Sequence, residues 1–258
     1  KLYTTAAGER MYDAVKGIFA EILDLQTELA ALEGRVAGEL RITAVNTAQY
    51  VVPYLMRPFL DKNPDVRISV RVVNRATAIE RLSDNVDDLV IMGMVPDGKG
   101  LISIPFLDNE LVAVAPAEHP LLSQPTVSAE EFLNSRLLMR EAGSGSRLAL
   151  EVHCHETRLK IPEAMILGSN DAIKHAVIAG LGVAVLPKLS ILPELQLGTL
   201  QILPIEHFPL RRSWCLVHPA NKSLTPAARA FVEYIQQNAG EFSRQFDKQS
   251  HYFPHEDF

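Results

Sequence analysis

The sequence predicts an α/β protein of two lobes behind a long coiled-coil helix. Three observations predict it: a heptad seam near the start, a strand-and-helix cadence that runs twice, and two apolar runs placed to join the repeats. From Met11 the apolar residues Val15, Ile18, Ile22, Leu25, Leu29, Leu32 and Val36 follow at alternating spacings of four and three. That is the a/d seam of a two-stranded coiled coil, narrower than the stripe of a helix laid on a core. Asp13, Lys16, Glu21, Asp24, Gln26, Glu28, Glu33 and Arg35 occupy positions between, leaving one apolar strip on a rod of roughly 38 Å. Thr4 or Thr5 can cap its start, and Gly34 and Gly38 stand where it should stop. Such a helix needs a second copy of itself; the alternative is a helix lying against its own domain. A chain that opens with Lys on this helix is expected to be a piece of a longer protein.

Past Gly38 the period changes. Residues 40–45 read as a strand and 50–60 as a helix, with Pro53 in its opening turn and Pro58 costing a hydrogen bond or a bend. Residues 66–73 alternate and are β-branched, 76–82 return to helical spacing, and 88–92 form a short buried strand. The cadence restarts with strand 137–139, helix 146–156, strand 164–167, helix 172–179 and, after a Gly-Leu-Gly turn, strand 183–186. The apolar runs 111–116 and 214–218 can cross between the two units as a hinge, and a helix from Thr225 to Gln237 follows. The expected domains are a linker and dimerisation helix at 1–37, a first lobe at 38–111, a second at 112–214, a return to the first at 215–240 and a flexible, aperiodic tail at 241–258.

Composition narrows the function. With 258 residues and 47% hydrophobic content the chain can build a large core, and no apolar run reaches membrane-span length. Two cysteines argue against a disulfide framework and fit a reducing, cytoplasmic compartment. A net charge of −6 offers phosphate backbones no general attraction, so any nucleic-acid contact belongs to another segment.

Particular stretches carry a family likeness. They are LYTTAAGE at 2–9, GELRI at 38–42, Phe59 with NPDV at 63–66, HPL at 119–121 and GLGVAVLP at 180–187. Over nearly its full length the chain resembles the linker helix and effector-binding region of LysR-type transcriptional regulators. NTAQY at 46–50, REAGSGSR at 140–147 and FPLRRSW at 208–214 narrow the likeness to the branch controlling Calvin-cycle and inorganic-carbon-uptake genes. The resemblance implies a two-lobed fold like that of type II periplasmic binding proteins, dimers or tetramers, and a small anionic effector. Phosphorylated sugars such as ribulose bisphosphate, phosphoglycolate and 2-oxo acids such as 2-oxoglutarate are the implied candidates. It also implies DNA binding through an N-terminal winged helix-turn-helix, and the chain starts just after where that unit would end.

Three helix starts are the candidate site. Gly143, Ser144, Ser146 and Arg147 lead into one helix, where free N–H groups, hydroxyls and the positive dipole end suit an anion. Asn46, Thr47, Ala48 and Gln49 open a second, and Asn170 stands at a third. Ordinary capping by Ser144, Ser146 or Ser169 is the plainer reading of each, and Arg147 can pair with Glu141 or Glu151 instead of a ligand. Nothing resembles catalysis: Ala142 stands where a nucleophile elbow at Ser144 needs glycine. His153, Cys154 and His155 lie on one predicted helix where only Glu151 and His155 share a face, so neither metal nor cofactor is expected. A periplasmic-type solute receptor is the rival reading; it shares the two-lobed plan and leaves the heptad helix unexplained.

Overall fold

The runs past Gly38 assemble into one nine-stranded mixed sheet, seen in a computed structural model that describes residues 4–98 and 100–251. Ahead of it, helix α1 (Ala6–Leu32) starts where the Thr5 hydroxyl accepts from the Gly8 N–H at 3.1 Å. It stops at Gly34, whose φ of +73° is the left-handed turn that lets the Arg35 N–H reach back to the Ala30 carbonyl at 2.9 Å. Its last turns rest on the body: Ala30 is buried, and a Cβ on Gly38 would come within 2.7 Å of the Thr27 hydroxyl. The seam faces elsewhere. Met11, Val15, Ile18, Ile22, Leu25, Leu29 and Leu32 are all exposed, from 39% at Val15 to 84% at Leu32.

Strand β1 (Gly38–Val45) pairs in parallel with β2 (Val66–Val73) and with β3 (Leu89–Met92), and helices α2 (Val52–Lys62) and α3 (Arg75–Ser83) make the crossovers. A 3-10 turn at Ala48–Tyr50 precedes α2, and α2 runs through Pro58 to Lys62. Two long antiparallel strands, β4 (Leu101–Pro116) and β9 (Leu210–Pro219), carry the sheet into the second lobe. Each extends beyond its apolar run, because pairing with the other strand supplies order that the mixed residues Leu101 to Glu110 do not advertise. A register shift between Pro105 and Leu107 breaks their alternation.

The second lobe contributes β5 (Leu137–Arg140), α5 (Gly145–Glu156), β6 (Met165–Leu167), α6 (Asn170–Ile178) and β7 (Val183–Pro187). The short helices α4 (Ala129–Asn134) and α7 (Leu192–Gln196) and the strand β8 (Leu200–Ile202) are additions to the expected order. Apolar packing divides at the crossing strands. One core joins Leu40 through Leu107 to Trp214 through Phe246, while two others lie wholly between Leu111 and Leu210.

The tail needs correction. The helix expected to end at Gln237 is α8 (Pro226–His251), which continues through most of the segment read as aperiodic. Phe242 and Phe246 explain it: both are buried in the first core, Phe246 edge-on to Tyr54 at 5.6 Å and Phe242 to Tyr234 at 5.8 Å. Residues 1–3 and 252–258, with the readings placed on Leu2, Tyr3 and the end of the tail, lie outside the described residues. Among the described residues no helix is long and apolar enough to cross a membrane.

Candidate functional site

Both parallel halves of the sheet end at one cleft, because a strand that hands over to a helix leaves its last side chains and the helix's first N–H groups at the same edge. From the first lobe come Asn46 and Thr47, after β1. Thr47 is buried, and its hydroxyl accepts from the Trp214 indole N–H at 3.3 Å. Indole only donates, so that bond occupies a lone pair and leaves the threonine proton for another acceptor. From the second lobe comes the loop after β5, with Ser144 as N-cap of α5 and no side-chain capping bond. The hydroxyl of Ser146, at the start of the helix, is buried with no hydrogen-bond partner in the protein.

Arg140, the last residue of β5, is buried and holds this edge together. Its Nε and Nη2 donate to the Glu141 carboxylate at 2.7 and 2.9 Å, and its Nη1 donates to Asn170 Oδ1 at 2.7 Å. With the Asn46 amide turned to suit its neighbours, Asn46 Oδ1 accepts from Arg140 Nη2 at 2.9 Å and Nδ2 donates to the Val73 carbonyl at 3.1 Å. The lobes therefore meet through side chains at Asn46 and Arg140. They also meet through backbone: the Ala76 N–H donates to the Gly143 carbonyl at 3.1 Å. Gly143 has a φ of +87°, and a Cβ there would lie 2.8 Å from that of Ala76, so the close approach requires glycine. At the rim, the Tyr50 hydroxyl donates to Asp171 at 3.3 Å.

The cleft between these contacts is narrow, with about 20 Å³ of free space. Thr47, Arg75, Asn109, Ser144, Ser146 and Arg212 face it with hydrogen-bonding groups, and no carboxylate lines it. Arg75 gives its Nε to the Met94 carbonyl at 2.8 Å, and burial pushes its pKa below the ordinary arginine value. Arg212 and Asn109 come from the hinge strands. Among the described residues neither Arg75 nor Arg212 stands in an ion pair, so a protein of net charge −6 concentrates uncompensated positive charge here. The arrangement can hold a small anion; among the described residues that line it no nucleophile stands in contact with a base.

The expected residues separate into three groups. Asn46, Thr47, Ser144 and Ser146 line the cleft. Gly143 and Asn170 act from behind it, one by permitting the approach of α3 and the other by holding Arg140; Ser169, not Asn170, caps α6, accepting from the Ala172 N–H at 3.0 Å. Ala48, Gln49 and Arg147 are not in the wall. Ala48 is fully buried in the first core, Gln49 is half-buried in the 3-10 turn, and Arg147 spends its Nε on Glu151 at 2.7 Å, since an i,i+4 carboxylate is nearer than the cleft. His153 is buried edge-on against Phe208 at 5.3 Å while His155 is exposed. Sequence reasoning missed Arg140, Arg75, Asn109 and Arg212. The first two had a signal as polar residues at the junction of a strand and a helix; the hinge pair had none.

The model of the LysR substrate binding domain matches residues 33–240. The chain is 38% identical to the HTH-type transcriptional activator CmpR of Synechocystis over 235 residues, covering 91% of this chain and 77% of that one. It is 37% identical to the RuBisCO operon transcriptional regulator of Acidithiobacillus ferrooxidans, over 91% of this chain and 76% of the relative. Among solved structures, the Synechocystis CcmR regulatory domain in complex with 2-PG superposes with a TM-score of 0.73 at 34% identity, covering 78% of this chain and 97% of that domain. An H2O2-bound mutant of Corynebacterium glutamicum OxyR, at 18% identity and a TM-score of 0.76, shares the fold over 97% of this chain and 81% of its own.

Proposed function

This chain belongs to the LysR family through its substrate-binding domain, and on that premise we propose that its interlobe cleft binds a small phosphorylated anion of the 2-phosphoglycolate class to regulate carbon-assimilation genes. One observation carries the reading: Ser146 sits at the start of α5 with a buried, unpartnered hydroxyl, in a cleft that has uncompensated arginines and no carboxylate. A helix start with free donors suits a phosphate, and the water-poor wall strengthens each bond made there. The bound 2-PG of the CcmR domain supports the choice of ligand. Relatives that are transcriptional regulators speak against the solute-receptor reading, which has no use for the heptad seam.

Binding acts on equilibrium by favouring the arrangement in which donors from both lobes reach one ligand. The two lobes move about β4 and β9, the first lobe carries the end of α1, and two copies joined along the α1 seam pass the change to the DNA-binding unit of the full regulator. Calorimetry tests the first step. 2-Phosphoglycolate is expected to bind saturably and to be displaced by excess inorganic phosphate, whereas failure of 2-phosphoglycolate, ribulose bisphosphate and 2-oxoglutarate alike to bind would overturn the reading.

A further inference from the structure

Arg212 and Asn109 are register partners on β9 and β4 and meet at the hinge-strand floor of the cleft. The protein does not use their cleft-facing atoms. Arg212 Nε is buried with no partner, as is Oδ1 of Asn109, a residue only 6% exposed. Arg212 Nη1 is tied to the Arg211 carbonyl at 2.8 Å, on the far side of the guanidinium from the edge that Nε shares with Nη2. That edge is the one that grips a carboxylate with two parallel bonds. The neighbouring acid is occupied: Glu110 pairs with Lys188 at 3.3 Å and Arg211 at 3.5 Å. A buried guanidinium N–H with no acceptor, as at Arg212 Nε, has lost water and gained nothing, which is tolerable where a ligand brings the acceptor. The Asn109 amide can present either its oxygen or its nitrogen, so beside Arg212 it serves as a further donor.

Two parts of the cleft wall thus offer different geometries. The start of α5 presents separate N–H and hydroxyl donors that suit a tetrahedral phosphate, and the floor presents a planar fork that suits a planar carboxylate. We propose that Arg212 and Asn109 form a carboxylate subsite, so that the cleft selects anions with a phosphate at one end and a carboxylate at the other over phosphate esters with a neutral end. The inference rests on the anion-binding reading of the cleft and adds the basis of its selectivity.

The test compares 2-phosphoglycolate with ethyl phosphate, which keeps the phosphate and lacks the carboxylate, by calorimetry on the whole chain. Wild type is expected to prefer 2-phosphoglycolate by about 10- to 100-fold, the loss of one or two charge-assisted hydrogen bonds. Arg212→Gln should reduce that preference by about tenfold or more, and Arg212→Lys, which keeps the charge without the fork, should restore it in part. Asn109→Asp gives a near-isosteric second route: the carboxylate it adds should repel 2-phosphoglycolate far more than ethyl phosphate. An undiminished preference in Arg212→Gln and Asn109→Asp overturns the carboxylate subsite and leaves the anion cleft standing. Wild-type protein that binds neither compound overturns the anion cleft itself.

Discussion

Helix α1 and the cleft depart from the ordinary inside-outside rule in opposite directions. On α1, apolar side chains stand in water, with Met11 70% and Leu32 84% exposed. In the cleft, polar atoms of Ser146, Asn109 and Arg212 stand out of water without partners. Each arrangement costs free energy in a single unliganded chain, and under the proposed function each cost would be removed by something from outside, a second apolar helix in one case and an anion in the other. The contrast teaches how specific each region can be. Apolar association counts area and tolerates exchange of one aliphatic residue for another; donors aimed into a cleft depend on individual atoms.

The sharpest way to break the comparison is to put charge into the seam. Ile22→Asp with Leu29→Asp buries two unpaired carboxylates in the proposed helix contact, each costing several kcal/mol, and is the largest effect expected. Sedimentation should find wild type dimeric at micromolar concentration and the double variant monomeric. Exchanging Ile22→Leu and Leu29→Ile instead should leave the dimer intact. A monomeric wild type would remove the seam from the account.

The cleft should respond to single atoms. Ser146→Ala and Thr47→Ala are each expected to weaken binding of 2-phosphoglycolate by about 1–3 kcal/mol without changing the association state. Thr47→Ala also strands the Trp214 indole N–H, so Thr47→Ser, which keeps the hydroxyl, should recover most of the loss. If calorimetry shows full affinity in both alanine variants, the ligand lies elsewhere.

Gly143→Ala probes the frame that brings the lobes together. Its left-handed backbone costs a side chain about 1–2 kcal/mol, and the new methyl would meet Ala76. Thermal unfolding should shift down accordingly and affinity should fall with it; an unchanged melting temperature would show that the approach of α3 is not tight.

The smallest effect concerns pH. Burial pushes the Glu141 carboxyl up, but the hydrogen bonds and charge of Arg140, with Asn74, hold it below its ordinary 4.5. Because the folded value is the lower one, the stabilisation is complete above 4.5 and disappears as pH falls through the folded value. Melting temperature should therefore drop on acidification from about pH 4.5, and Glu141→Gln should flatten part of that slope. An identical slope in the variant would show that other carboxyls carry it.

Much of the scaffold was legible because each element announces itself locally. Thr5 and Gly34 bound α1 where their chemistry said they would, and β2 spans the alternating residues 66–73. The end of α8 was misread because Phe242 and Phe246 form a buried row only once α2 brings Tyr54 beside them. The site was legible in part: Thr47 and Ser146 follow from helix starts, whereas Arg147, equally placed in the sequence, is diverted by Glu151.

The family, the period of each segment, the apolar seam and the candidate helix starts are legible in the linear order of residues. These are properties of neighbouring residues, and propensity, capping and hydrophobic period act over a few positions. Only the tertiary structure decided which donors share a cavity. Asn109 and Arg212 become partners because β4 and β9 pair antiparallel across the hinge, and Arg140 becomes a clasp because Asn46, after β1, and Asn170, at the start of α6, converge on it beside its neighbour Glu141. Whether a polar side chain is free for a ligand depends on which acceptors reach it first, and that competition is settled in three dimensions.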